Sequence, residues 1–284
     1  MENSGSGTHS LDFSDGNNPA VFLAVCTAVT ALVFVFSRYY LHREPGFKRF
    51  YYTVLFFVVG LVLAILAGNF ETLLVGWECI GMSSVLLIAF YRDRFLPARN
   101  ALKVFSIYRI ADACLLAAIW YAHHAFERSV DFSELSTVAA QHGEQVAVLG
   151  LLLLIVALIK SAQFPVSYWL PRAMEGPTSS SAIFYGALSV HMGLFLLLRT
   201  YPLWESDVWL RVAVGIVGIV TAIVATSIAR VQSSIKTQIA YSSITQIGIM
   251  FVEVALGLWW LALLHFVSNA LLRTYQLLIS PSIV

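Results

Sequence analysis

The chain has 284 residues, of which 59% are hydrophobic and only 12% charged, and its net charge is +1. A soluble domain of ordinary composition is about 25% charged, and with a mean hydropathy of +0.79 this chain is not one. Three scattered cysteines, Cys26, Cys79 and Cys114, form no CxxC pair and so give neither a disulfide framework nor a metal site. No nucleic-acid partner is expected.

Residues 1–18 are polar and lack the basic start and short apolar core of a signal peptide, so they read as an extramembrane tail. Beyond them, apolar runs recur, each about the length that crosses a ~30 Å hydrocarbon core as helix. They predict an all-α polytopic bundle of nine spans, at about 19–40, 50–68, 72–91, 101–122, 145–164, 180–200, 208–229, 237–255 and 258–279, within one membrane domain over 19–284. The first loop carries Arg38, Arg43, Lys48 and Arg49, the third Arg92, Arg94, Arg99 and Lys103, the fifth Arg172, and the seventh Arg230 and Lys236. The even-numbered loops are poor in Lys and Arg, and the longest, 123–144, holds Glu127, Asp131, Glu134 and Glu144 against Arg128. By the positive-inside rule the N-terminus lies outside and the C-terminus in the cytoplasm of a cell membrane.

Ionisable side chains inside spans cost about 2.5–3.5 kcal/mol each on insertion scales and mark function or a buried partner. Glu78 sits within span three, either tied to a neighbouring helix or titrating. Arg109 and Asp112 of span four are three apart and share a helix face, as a self-neutralising pair or with Asp112 reaching across helices. Lys160 ends the run LGLLLLIVALIK of span five, five residues before Pro165. Proline removes a helical hydrogen bond and clashes with the carbonyl four residues back, here Ser161, which predicts a broken helix lining a cavity. An ammonium there is suited to carry a proton; snorkelling to the interface is the alternative. His191 in span six and His265 in span nine are core residues or proton relays. Arg273, also in span nine, sets a field but does not give up its proton. The seven histidines show no HxxxH or HExxH spacing, which argues against a metal site. The series Glu78, Asp112, Lys160, His191 and His265 fits movement of protons or cations better than structural need.

LLVGWECIGMSSVLLIAFY, ALKVFSIYRIADACLLA, LIKSAQFPVSYWLPRAMEGPTSSSA and IKTQIAYSSITQIGIMF resemble the antiporter-like subunits shared by respiratory complex I and Mrp-type sodium/proton antiporters, closest to the subunit-5 class. The resemblance runs from about Arg43 to Val284, and the run from Lys160 to Thr178 is its most specific part. It implies two inverted five-helix repeats, with the nine spans here matching family helices three to eleven. It also implies that Glu78 and Lys160 form a central proton-transfer pair, with Arg109, Asp112, Lys236 and His265 at matching pathway positions. The chain departs from the family at Tyr185, where a histidine is usual (His191 follows six residues on), and at Asn269 and Arg273, where the family has H-x-x-x-K. These departures put a continuous proton wire in doubt. The second broken helix is missing, which implies a fragment or a second polypeptide.

SAIFYGALSVHMGLFLLLRTYPLW and SNALLRTYQLLISPS are more similar to the DabB type, the membrane subunit of two-component inorganic-carbon pumps. That resemblance implies a metal-free, cofactor-free, H+- or Na+-conducting subunit. Its cytoplasmic partner would be a zinc-dependent DabA-like protein that hydrates CO2. The alternative is a proton-pumping component of NADH-quinone oxidoreductase or an Mrp-type antiporter, hence a transporter subunit or, within an enzyme, a translocase. A non-conducting scaffold is the third reading. Three cysteines do not ligate an iron–sulfur cluster, and no GxGxxG motif is present.

Overall fold

The computed structural model describes residues 17–127 and 129–280. All but the end of the 1–18 tail, Arg128, and the last four residues lie outside that range, as does the side chain of Glu144. The described residues form helices α1 (Asn17–Tyr40), α2 (Phe47–Ile65), α3 (Phe70–Ile88), α4 (Phe95–Phe126), α5 (Leu135–Gln141), α6 (Gly143–Lys160), α7 (Trp169–Arg172), α8 (Thr178–Ser181), α9 (Met192–Arg199), α10 (Tyr201–Ser206), α11 (Val208–Ala229), α12 (Ile235–Ala255) and α13 (Trp259–Ile279). Each of the nine expected spans falls on a helical segment. By length and apolarity alone, five described segments are able to cross a membrane: Asn18–Tyr40, Phe47–Ile65, Phe70–Tyr91, Thr178–Arg199 and Val208–Ala229. α6 is apolar but shorter, and α4, α12 and α13 are long but carry more polar side chains.

Local chemistry sets the helix starts. The Asn69 side chain accepts from Thr72 N at 2.9 Å and caps α3; Asp207 accepts from Trp209 N and Leu210 N and caps α11. Both satisfy orphan donors of a first turn. Between helices, glycine permits close approach. A Cβ on Gly76 of α3 would lie 2.6 Å from the Gly60 carbonyl of α2, and one on Gly218 of α11 would lie 2.5 Å from the Gly248 carbonyl of α12. Small residues at such crossings are how helices pack where lipid supplies no hydrophobic drive. These two pairings are the most extensive in the bundle.

At the centre runs Thr178–Arg199, every residue of its apolar window buried. The span expected at 180–200 is present, and it is composite: α8, a π-helical stretch Ala182–Ala187, a 3₁₀ turn Ser189–His191, then α9. It packs against α1, α6, α12 and α13. Phe22 of α1 closes one side, stacked on Phe266 of α13 at 4.0 Å and edge-on to Phe195 at 5.0 Å.

The expected break in span five is present, and it begins earlier than Pro165: α6 ends at Lys160, and 161–168 is irregular. Ala162 takes φ 51°. The polar backbone groups freed there find side-chain partners. Trp169 Nε1 donates to the Ile159 carbonyl at 3.0 Å, Gln163 Nε2 donates to the Ser161 carbonyl at 2.8 Å, and Phe164 N donates to Thr221 Oγ1 at 2.9 Å. Ser161 Oγ reaches the Val190 carbonyl of the central segment at 2.7 Å. Irregular backbone at membrane depth persists only when satisfied in this way.

Candidate functional site

α3 and α4 lie side by side and present three charged groups to one another. Arg109 Nη2 is 2.5 Å from Glu78 Oε2 and 2.6 Å from Asp112 Oδ2. The guanidinium thus bridges an acid on its own helix, one turn away, and an acid on the next helix. The side chains of Glu78 and Arg109 are 35% and 38% exposed, whereas that of Asp112 is 7% exposed, so the bridge runs from the outer face of the bundle into its interior. The Arg109 guanidinium also lies 4.9 Å from the Phe105 ring centre.

Lys160, the last residue of α6, is 1% exposed. Its Nζ lies 4.8 Å from the Trp77 ring centre and 4.6 Å from that of Tyr108. A desolvated ammonium is attracted to the negative faces of such rings by about 2 kcal/mol or more. Among the described residues no carboxylate lies within ion-pair distance of it. The structure therefore brings Glu78 and Lys160 into one neighbourhood but not into direct contact, because Arg109 takes the carboxylate. Gly81 stands between them: a Cβ there would sit 3.9 Å from Arg109 Nη2, 4.0 Å from Lys160 Nζ and 3.6 Å from Tyr108. Trp77 Nε1 is buried without a hydrogen-bond partner among the described residues.

A second cluster joins the central segment to α13. Asn269 Nδ2 donates to His191 Nε2 at 3.1 Å, and Arg273 Nε donates to Asn269 Oδ1 at 3.2 Å. Arg273 Nη1 donates to Gln276 Oε1 at 2.6 Å. The asparagine side chain fits between the two because its amide offers a donor to one and an acceptor to the other. His191 is fully buried.

His265 is placed elsewhere, with partners on α12: Nδ1 lies 3.0 and 3.3 Å from the two Glu253 oxygens, and Nε2 lies 2.8 Å from Gln246 Oε1. Lys236 stands apart from these groups in the first turn of α12, in electrostatic reach of Tyr40 and Glu175. Pro165 lies in the irregular 161–168 stretch, joined to Phe164 by a cis peptide bond.

Sequence reasoning omitted Trp77, Tyr108, Gly81, Glu253 and Gln246. Glu253, an acid in the run MFVEVALG, carried the same signal as Glu78. Trp77 and Tyr108 adjoin the charged residues Glu78 and Arg109 in the chain, but aromatic residues near a charge are too common in spans to single out.

Fold and site together define an antiporter-like membrane subunit: a buried lysine at a helix break, with an arginine-bridged acid pair on two neighbouring helices. Residues 67–284 match the family described as "NADH:quinone oxidoreductase/Mrp antiporter, TM", and residues 17–51 match "NADH-Ubiquinone oxidoreductase (complex I), chain 5 N-terminus". The chain belongs to this family and is a multi-pass membrane protein. It is 32% identical over 271 residues to the NAD(P)H-quinone oxidoreductase chain 5 of a Synechocystis species, covering 93% of this chain and 40% of that one. To the NADH-quinone oxidoreductase subunit L of Escherichia coli it is 33% identical over 266 residues, covering 92% and 43%. The fold superposes on a chain of the Mrp complex from Dietzia with TM-score 0.86 and 27% identity, over 92% of this chain and 29% of that one. The chain thus spans less than half the length of these relatives.

Proposed function

We propose that the chain is a proton-conducting membrane subunit of the complex I/Mrp type, working within a larger membrane assembly, with its basic loops in the cytoplasm. The observation that supports this reading is the Arg109 bridge between Glu78 and Asp112, set beside Lys160 at the break of α6. Lys160 is the proton carrier, Glu78 and Asp112 tune it, and Arg109 holds the two acids. The assembly containing the chain is purified from its native membrane, reconstituted in liposomes, and followed with a pH-sensitive dye. Proton movement in the native protein and at least tenfold loss in Lys160→Ala and Glu78→Gln, at equal insertion, are expected. Undiminished movement in both variants overturns the reading. Na+ as the conducted ion is told apart by running the same assay in Na+-free buffer.

A finer assignment to the DabB type, with a zinc-dependent DabA-like partner and a role in CO2 or bicarbonate uptake, is favoured by the His191–Asn269–Arg273 cluster. A permanently charged arginine stands there where the complex I pattern has a titratable lysine, which does not suit a continuous proton wire along α13. Rescue of growth in air of cells that need added CO2, by this chain with its partner, tests it. No rescue from a correctly inserted complex leaves the respiratory or antiporter assignment.

A further inference from the structure

The outer end of the α12–α13 pair holds an acid, an imidazole and an amide in mutual contact. Gln246 and Glu253 are seven residues apart on α12 and so share a face, and His265 of α13 lies against both. The two Glu253 oxygens meet Nδ1, and Gln246 Oε1 meets Nε2. A neutral imidazole has one N–H and an imidazolium has two. As placed, both ring nitrogens face oxygens, which suits the charged ring. The neutral ring is accommodated by turning the Gln246 amide end for end, so that its NH2 meets Nε2; the two amide orientations differ only in which atom points at the ring. The trio therefore satisfies the histidine in either state without leaving a buried polar group unpaired. The side chains are 19% exposed for His265 and 12% for Glu253, so the site is enclosed but not sealed.

Few other charges surround it. Arg211 of α11 donates to the Ala255 carbonyl at 3.1 Å, and Tyr201 Oη is 3.3 Å from where a Cβ on Gly257 would lie, in reach of Glu205. His191 of the central segment is in electrostatic reach of His265, and Arg273 lies two turns further along α13. The ionisable groups Arg38 of α1 and Arg172 of α7 sit at the opposite, basic-loop ends of their helices.

We propose that Glu253, His265 and Gln246 form a proton-binding site that loads or unloads the interior of the bundle from the side away from the basic loops. The imidazole takes the proton, the Glu253 carboxylate balances its charge, and the Gln246 amide turns when the proton leaves. His265 stands one helical turn from Asn269, which is bonded to His191, and this gives the site an inward neighbour. The inference rests on the proton-conducting reading.

The test uses the intact assembly in membranes and two readouts. Infrared difference spectra between acid and neutral buffer are expected to contain an imidazolium signal that disappears in His265→Asn and weakens severalfold in Glu253→Gln; an unchanged signal in Glu253→Gln overturns the site. Proton movement is expected to fall about tenfold in Glu253→Gln and to recover in Glu253→Asp, with membrane levels unchanged. A weakened infrared signal with undiminished transport makes the trio structural and overturns the loading role. Should the native assembly move no protons at all, the functional reading falls, and the loading role falls with it, while the infrared result still decides whether the trio binds a proton.

Discussion

In the proposed mechanism Arg109 and Lys160 divide two tasks that one cation would perform badly. A guanidinium does not give up its proton and fits two carboxylates at once; Arg109 holds Glu78 and Asp112 in this way. That leaves Lys160 with ring faces rather than an acid, and an ammonium not fixed in an ion pair is freer to move. Tyr108→Leu is expected to lower proton movement about tenfold, the size of a lost cation–π contact of roughly 1–2 kcal/mol. Tyr108→Phe, which keeps the ring, is expected to stay within about twofold of the native rate, since ring contact is worth more than the hydroxyl. Equal losses in both, measured in the same liposome assay, would instead assign the effect to the hydroxyl. Gly81 is the companion case. Its missing Cβ leaves the space between Arg109 and Lys160 open at ordinary contact distance, so Gly81→Ala is expected to insert normally and slow proton movement severalfold.

The broken end of α6 is the element on which the site depends. Its polar backbone is satisfied by residues far apart in sequence, and Thr221 of α11 is the most isolated of them, accepting from Phe164 N while donating to the Val217 carbonyl. Thr221→Val keeps the shape and removes the acceptor. It is expected to cost about 1–3 kcal/mol, read as a lower temperature of irreversible aggregation in detergent, with Ser in place of Val restoring most of it. The break itself was legible, because proline five residues after an apolar run forbids continuation. Its true position, at Lys160, was not, since it depends on Trp169, Gln163 and Thr221 arriving to cap the freed groups. The π-helical stretch Ala182–Ala187 left no mark in the sequence either: its apolar residues repeat as they would in an ordinary helix, and only packing on all sides reveals the extra residue in the turn. The charged cluster was half legible. Glu78, Arg109 and Asp112 announce themselves as charges in oil, but that Arg109 rather than Lys160 takes Glu78 is decided by which helices touch.

Among the described residues, three polar clusters line the interior at different depths: Glu78–Arg109–Asp112 with Lys160 beside it, His191–Asn269–Arg273, and Glu253–His265–Gln246. The proposed orientation, argued from charge alternation among loops, puts the last set on the outer side. That assignment is checked with a chain whose three cysteines are replaced by serine and which carries one new cysteine, Ser206→Cys or Ser233→Cys, both at exposed positions. A membrane-impermeant maleimide added to intact cells is expected to label the first and to reach the second only after lysis. The reverse pattern inverts the orientation and moves the loading site to the cytoplasmic face.

The central segment is walled in by α1 and α6, made before it, and by α12 and α13, made after it. It carries Ser179, Ser180, Ser181, Ser189 and His191, all buried, which would face lipid acyl chains if the wall were open. During synthesis this segment therefore enters the bilayer before its enclosure exists, and its polar side is covered only once α13 has left the ribosome. α13 thus decides whether the helices made before it settle. A lesion in α13, such as Phe266→Asp, is expected to be read by membrane quality control as a failure of the middle of the chain.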